Sequence, residues 1–287
     1  MLRKIVFCAM VIMSVAAMAD PSLLYVKGGV LPSTGGNGTG TKIESLYWAR
    51  DLVTYGEWML FVNASYRSFD VERIGMDIYQ MDPGSKIPSD FPMLGVTWLE
   101  AIKYCNWKSE KDGRKPVYTI RGDFPFVFTP DVTAQLPTVL EDKYANGYRL
   151  PTSAEWEYAA KGGSKGIANK WWKTADQLKY GVFYENSSGI VRRVRTLAPN
   201  PLGLFDMVGL AKEWCWDSKT EGALGVSSRG KEVRGADFGN SLKEWPDRVV
   251  DGKLVSHPGV PDYYTAEMAM DGLARDTIGF RLVTNSP

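Results

Sequence analysis

One histidine and three cysteines are the chain's whole stock of imidazole and thiol groups. His257 lies between Ser256 and Pro258 in a stretch that reads as a loop, so a Ser/His/Asp triad would rest on a single loop histidine. Cys105, Cys215 and His257 are too few and too far apart for structural zinc, which takes four ligands at short spacings. The two body cysteines can pair as one disulfide in an oxidising compartment, or pack as small apolar thiols. Their spacing does not decide between the two. The glycine-rich tract from Ser33 to Gly40 precedes no helix, so it is no phosphate cradle.

Those few reactive groups sit in a chain built for export. Arg3 and Lys4 precede an apolar run from Ile5 to Met13, and Ala17-Met18-Ala19 offers a small-residue cleavage site before Asp20. This is the plan of a secretory signal peptide over residues 1–19. The run is shorter than the roughly 20 apolar residues a spanning helix needs, and no later stretch is long enough either. The expectation is an exported protein, periplasmic, cell-surface or secreted, with no transmembrane segment in the mature chain. The 34 basic residues less Arg3 and Lys4 leave 32, against 33 acidic residues. That balance argues against nucleic acid as a partner, since such domains carry a basic excess.

The elements that would position a site follow from local pattern. Residues 20–42, with their glycine and small polar residues, read as a flexible leader. Residues 43–287 then form one body, opening with a strand at Ile43 to Trp48. Thr54 with Glu57 three positions on makes a capping box for a helix that buries Trp58, Phe61 and Val62. A second helix runs from Thr97 or Trp98 to Lys111 and ends at Asp112-Gly113. A third starts after Pro151, capped by Thr152 or Ser153 with Glu155 in its first turn, and stops at Gly162-Gly163. Beyond Lys165 come turns, short strands and large aromatics. The pattern predicts a single irregular α+β domain with few short helices, short strands and long loops. Of the ten tryptophans, Trp98, Trp107, Trp156, Trp214 and Trp216 sit at core-like spacings and read as structural anchors.

Four segments in order carry a family resemblance: Gly95-Val96-Thr97-Trp98 through Tyr104-Cys105-Asn106-Trp107; Tyr148-Arg149-Leu150-Pro151-Thr152 through Glu157-Tyr158-Ala159; Gly203-Leu204-Phe205-Asp206 through Glu213-Trp214; and Gly279-Phe280-Arg281-Leu282-Val283. Together they resemble the formylglycine-generating enzyme, or sulfatase-modifying factor, family, whose fold is C-type-lectin-like. The resemblance implies a structural calcium held by the carboxylates of Asp206 and Glu213 and the backbone carbonyls of Gly209 and Ala211, since closely spaced oxygen donors suit that ion. Leu210 and Lys212 depart from the family pattern, and the alternative is Lys212 neutralising the two carboxylates.

The resemblance also implies what is missing. The family's aerobic enzymes carry two cysteines a few residues apart that bind copper. Here Asn240 and Trp245 stand at those positions, and neither can replace a soft thiolate. Three-histidine iron sites of related proteins are ruled out by composition. No copper or iron site is evident. The fold places its binding surface in the loops before the closing strand, here residues 237–277, with Asp237, Phe238, Asn240, Trp245, Asp247, Tyr263, Tyr264 and Arg275 as candidate ligand-binding residues. Exported lectin-fold proteins diversified by retroelements vary the same segment. The expected function is a non-catalytic binding protein for a protein or glycan ligand. The alternative is a sulfatase-modifying-factor-type oxidoreductase using a non-cysteine site, with Asp237 or Glu244 as acid–base group.

Overall fold

Strand β1 (Leu23–Val26) pairs antiparallel with β4 (Leu46–Ala49), which also pairs with the last strand, β13 (Val283–Thr284), so both ends of the chain meet on one sheet. The computed structural model describes residues 22–33, 39–65, 79, 85–122, 138–171, 176–219, 230–242 and 277–287, and the strands at 248–250, 253–255 and 267–270 by backbone alone. A hairpin of β2 (Gly29–Leu31) and β3 (Thr41–Ile43) follows β1. The stretch read as a flexible leader therefore contributes three strands, and the body begins by Leu23 rather than at residue 43. Val26 and Leu31 explain the difference: they alternate with exposed neighbours and fall into the core beside Ile43 and Trp48. The expected strand at 43–48 is split in two by Glu44 and Ser45, where the Ser45 hydroxyl accepts the Gly28 amide at 2.9 Å.

The helices start where their caps place them. In α1 (Tyr55–Ser65) the Thr54 amide donates to Glu57 Oε2 at 2.9 Å, and Trp58, Phe61 and Val62 are buried. The helices α2 (Trp98–Lys111) and α3 (Ser153–Ala160) each carry a full capping box, Thr97 with Glu100 and Thr152 with Glu155. Gly162 and Gly163, with φ of 84° and 65°, end α3 and turn straight into α4 (Gly163–Ala168). Two one-turn helices follow, α5 (Gln177–Tyr180) and α6 (Tyr184–Ser187).

The larger sheet has the order β11-β8-β7-β12, from β7 (Lys212–Lys219), β8 (Gly230–Arg234), β11 (Glu267–Met270) and β12 (Ile278–Gly279). Its β12 runs parallel to β7 and aligns Gly279 with Glu213. Two hairpins complete the fold: β5 (Tyr118–Arg121) with β6 (Thr138–Glu141), and β9 (Arg248–Val250) with β10 (Lys253–Val255). This is an irregular α+β domain of short pieces, as expected.

Such a fold is held by large rings rather than long repeats. Trp58 stacks on Tyr104 at 5.7 Å, and both meet Phe280 edge-on at 6.1 and 5.4 Å. Trp98, Trp156 and Trp214 are buried, and Trp107 and Trp216 pack partly buried against the same core. The indoles of Trp98 and Trp214 donate to the Cys215 and Val96 carbonyls, each at 2.9 Å, tying α2 to β7. Cys105 and Cys215 are both free and fully buried, which settles the choice left open by their spacing. Burial pushes both thiols up, away from the thiolate form.

Candidate functional site

Strand β8 ends at Arg234 and leads into the segment where the family's copper ligands would begin. Gly235, at φ 88°, turns the chain so that a Cβ there would stand 3.3 Å from the Trp156 ring. Asp237 and Asn240 then close a tight turn on themselves. The Asp237 amide donates to Asn240 Oδ1 at 2.8 Å, the Gly239 amide to Asp237 Oδ1 at 2.9 Å, and the Asn240 amide to the Asp237 carbonyl at 3.0 Å. Asp237 is 6% exposed and Phe238 7%, and Phe238 belongs to the main core.

This corrects the expectation that Asp237 and Phe238 present a binding surface. Their side chains build the turn instead, because a short loop between a buried strand end and α6 needs its own polar and apolar anchors. Asn240, half-buried, has its amide group used within the turn. Trp245, Asp247, Tyr263, Tyr264 and Arg275 lie outside the described residues, as does Glu244.

A residue the sequence reading passed over does reach solvent here. Tyr184 opens α6, its amide donating to the Asn240 carbonyl at 3.0 Å, and its side chain is 54% exposed. Gly189, at φ 74°, lies under its ring: a Cβ there would be 3.4 Å from the ring atoms. Next door, Ser241 Oγ donates to Glu185 Oε1 at 2.6 Å. No periodic signal marks Tyr184; only the fold brings it beside residue 240. Phe238→Ala should therefore lose about 3 kcal/mol in urea unfolding, while Tyr184→Ala should change stability by less than about 0.5 kcal/mol. Equal losses at the two positions would contradict this division of roles.

The four candidate calcium ligands sit on the loop between residue 206 and β7. The loop is tight: Asp206, Gly209 and Leu210 have φ of 55°, 79° and 65°. At Gly209 the close approach is obligatory, since a Cβ would be 2.5 Å from the Val182 carbonyl oxygen. Glu213 and Arg281 are both fully buried. Arg281 Nε donates to Glu213 Oε2 at 2.7 Å and Nη2 to Oε1 at 2.8 Å, a two-pronged pair. The rest of the guanidinium donates to the Phe205 carbonyl at 3.0 Å and the Arg50 carbonyl at 3.3 Å.

The charge paired with Glu213 is thus that of Arg281. Asp206 is 3% exposed and accepts the Arg195 amide at 2.8 Å. Burial raises its carboxyl to about 7, against attraction from Arg281. Among the described residues no group of three or more His, Cys, Asp or Glu gathers as metal ligands. With both oxygens of Glu213 engaged by the Arg281 guanidinium, the arrangement fits an internal ion pair. Millimolar calcium should leave the melting temperature unchanged; a calcium-dependent rise, as a ligand of the native state must produce, would restore the metal to Asp206, Gly209, Ala211 and Glu213.

The mixed sheets, the ring-filled core and the Glu213–Arg281 pair define a sulfatase-modifying-factor-type domain. The sulfatase-modifying factor enzyme 1-like domain matches residues 11–286, and the chain belongs to that family. It is 34% identical over 160 residues to the chaperone protein LppX of Paenibacillus barcinonensis, covering 50% of this chain and 57% of that protein. It is 28% identical over 188 residues to a formylglycine-generating enzyme of Streptomyces coelicolor, covering 58% and 55%. The match spans a little over half the length of these relatives. Among solved structures, Treponema denticola variable protein 1 superposes with a TM-score of 0.63 at 21% identity, covering 91% of this chain and 94% of that one, which shows the shared fold. No helix among the described residues is long and apolar enough to cross a membrane.

Proposed function

We propose that this chain is an exported, non-catalytic binding member of the sulfatase-modifying factor family. The observation that carries the reading is the fate of its thiols. The body has two cysteines, both sealed in the core with burial holding them protonated. Where the copper-binding pair would begin stands Asn240, whose side chain closes a turn. Copper(I) chemistry requires accessible thiolates, and neither Cys105 nor Cys215 offers one. Likeness to a chaperone protein supports a role in binding rather than turnover; likeness to a formylglycine-generating enzyme keeps oxidation as the alternative.

Recognition falls to the loops that follow residue 239 and to Tyr184, whose amide meets the Asn240 carbonyl. The turn at Asp237 to Asn240 and the α6 anchor give those loops a rigid base, the arrangement in which loops recognise protein or glycan ligands. Export rests on the signal peptide plan of residues 1–19, and the protein recovered from the extracytoplasmic fraction should begin at Asp20.

The test is a peptide bearing a Cys-x-Pro-x-Arg motif, incubated with the full chain and copper, then iron, under oxygen, with peptide mass as the readout. The mass should stay unchanged. Conversion of the cysteine to an aldehyde would overturn the binding-protein reading and require a different active site.

A further inference from the structure

Arg50, just past β4, is held in place by its backbone rather than by its charge. Its amide donates to the Ser22 carbonyl at 3.2 Å. Its carbonyl accepts the Phe205 amide at 2.9 Å and Arg281 Nη1 at 3.3 Å. The guanidinium has no such support. Its Nε is buried without a hydrogen-bond partner, and among the described residues no carboxylate pairs with the group. A buried donor left unmade costs free energy, and a charged one calls for an acceptor from outside.

Arg50 lines a narrow cavity of about 50 Å³ between the end of β4 and the helices α1 and α2. Asp51, Glu57, Tyr104 and Lys108 share its wall. Two of these charges are already engaged. Asp51 Oδ1 accepts Arg195 Nε at 2.6 Å, and its Oδ2 takes Arg195 Nη2. Lys108 Nζ meets Asp112 Oδ2, which also accepts the Tyr148 hydroxyl at 2.9 Å. Glu57 is used only in part: Oε2 accepts the Thr54 amide and hydroxyl, each at 2.9 Å, which leaves Oε1. Arg50 and Glu57 are thus opposite in charge, share one wall, and are not paired with each other.

We propose that this cavity binds a small zwitterionic amino acid, of which glycine is the size that fits. A water needs about 10–15 Å³ of such space, so the cavity admits roughly four or five non-hydrogen atoms. The ligand carboxylate meets the Arg50 guanidinium, whose planar fork suits that group. Its ammonium meets Glu57 Oε1, and the Tyr104 hydroxyl can donate to the carboxylate. Burial raises the Tyr104 hydroxyl well above its ordinary value, which keeps it a neutral donor. The wall is formed before any ligand arrives. Tyr104 is stacked on Trp58 at 5.7 Å, and Glu57 is fixed by its capping box. A site of this kind loses little free energy to ordering on binding. The proposal does not depend on the loops that follow residue 239.

The experiment is calorimetric titration of the full chain with glycine, acetate and methylamine. Glycine should bind saturably, with acetate and methylamine each at least about tenfold weaker, a difference of about 1.4 kcal/mol. Arg50→Met strands no partner charge. It should weaken glycine at least about tenfold and keep the melting temperature within about 2 °C of the parent. Glu57→Gln keeps an acceptor for Thr54 and removes the charge. It should weaken glycine at least about tenfold without weakening acetate. No saturable glycine binding, acetate or methylamine binding as tightly as glycine, or an unaffected Arg50→Met variant would each overturn the proposal. So would a Glu57→Gln variant that loses acetate and glycine alike.

Discussion

Arg281→Met should cost roughly 3–5 kcal/mol of stability, the largest loss expected of any single substitution in this chain. The side chain is fully buried, and its guanidinium is shared between both oxygens of Glu213 and the carbonyls of Phe205 and Arg50. Methionine fills much of the same volume, so the cavity left behind is small. What remains is a buried carboxylate at the start of β7 without its cation, which is the costly state. For a domain of this size the loss lowers the melting temperature by roughly 10 °C.

The double variant separates this account from simple loss of packing. Glu213→Leu alone strands the guanidinium and should also lose roughly 3 kcal/mol or more. Combined with Arg281→Met, it removes both charges and puts apolar side chains against the core that Phe280 and Trp214 already define. The double variant should then recover at least half of the larger single loss in urea unfolding. Strictly additive losses would show that the two side chains act through separate contacts and that the pair itself contributes nothing. The pair also explains why an oxygen-rich loop in this family position need not hold calcium here: a cation, Arg281, is supplied from the segment between β12 and β13.

Much of the scaffold was legible from sequence because its signals are local. Thr54 with Glu57, read as a capping box, forms one, and the starts expected at Thr97 or Trp98 and after Thr152 or Ser153 prove to be fixed by boxes of Thr97 with Glu100 and Thr152 with Glu155. The leader was misread because Gly28, Gly29 and Gly40 look like flexibility, whereas here they permit close approach. A Cβ at Gly28 would meet the Ile43 carbonyl oxygen at 2.3 Å, a contact between residues fifteen positions apart that no local pattern announces. The site suffered in the same way. Asp237 and Phe238 have the composition of a recognition loop, but the Phe238 backbone is held by Leu210 and Ser187, contributed from distant parts of the chain. Arg281 was visible as part of a motif, yet its partner Glu213 lies 68 residues away and is brought alongside only by the parallel pairing of β12 with β7.

Asp206→Asn should make the protein more stable than the parent at pH 8 and leave it nearly unchanged at pH 3.5. Burial raises the Asp206 carboxyl from its ordinary value of 3.8 to about 7, with Asp51 and Glu213 adding to the rise and Arg281 and the Arg195 amide opposing it. A carboxyl raised on folding stabilises the native state through its proton. That contribution is complete below the unfolded value, near 3.8, and is lost progressively as pH climbs to about 7. Three pH units at about 1.4 kcal/mol each make the full loss on the order of 4 kcal/mol. Asparagine keeps the neutral form at every pH, tolerates the left-handed backbone at φ 55°, and its Oδ1 can still accept the Arg195 amide. The difference in unfolding free energy between variant and parent should therefore grow from near zero at pH 3.5 to a few kcal/mol at pH 8. Other titrating groups are common to both proteins and cancel in that difference. A pH-independent difference would mean that Asp206 is ionised throughout, held so by Arg281 and Arg195, and that an anionic oxygen is permanently available on this loop.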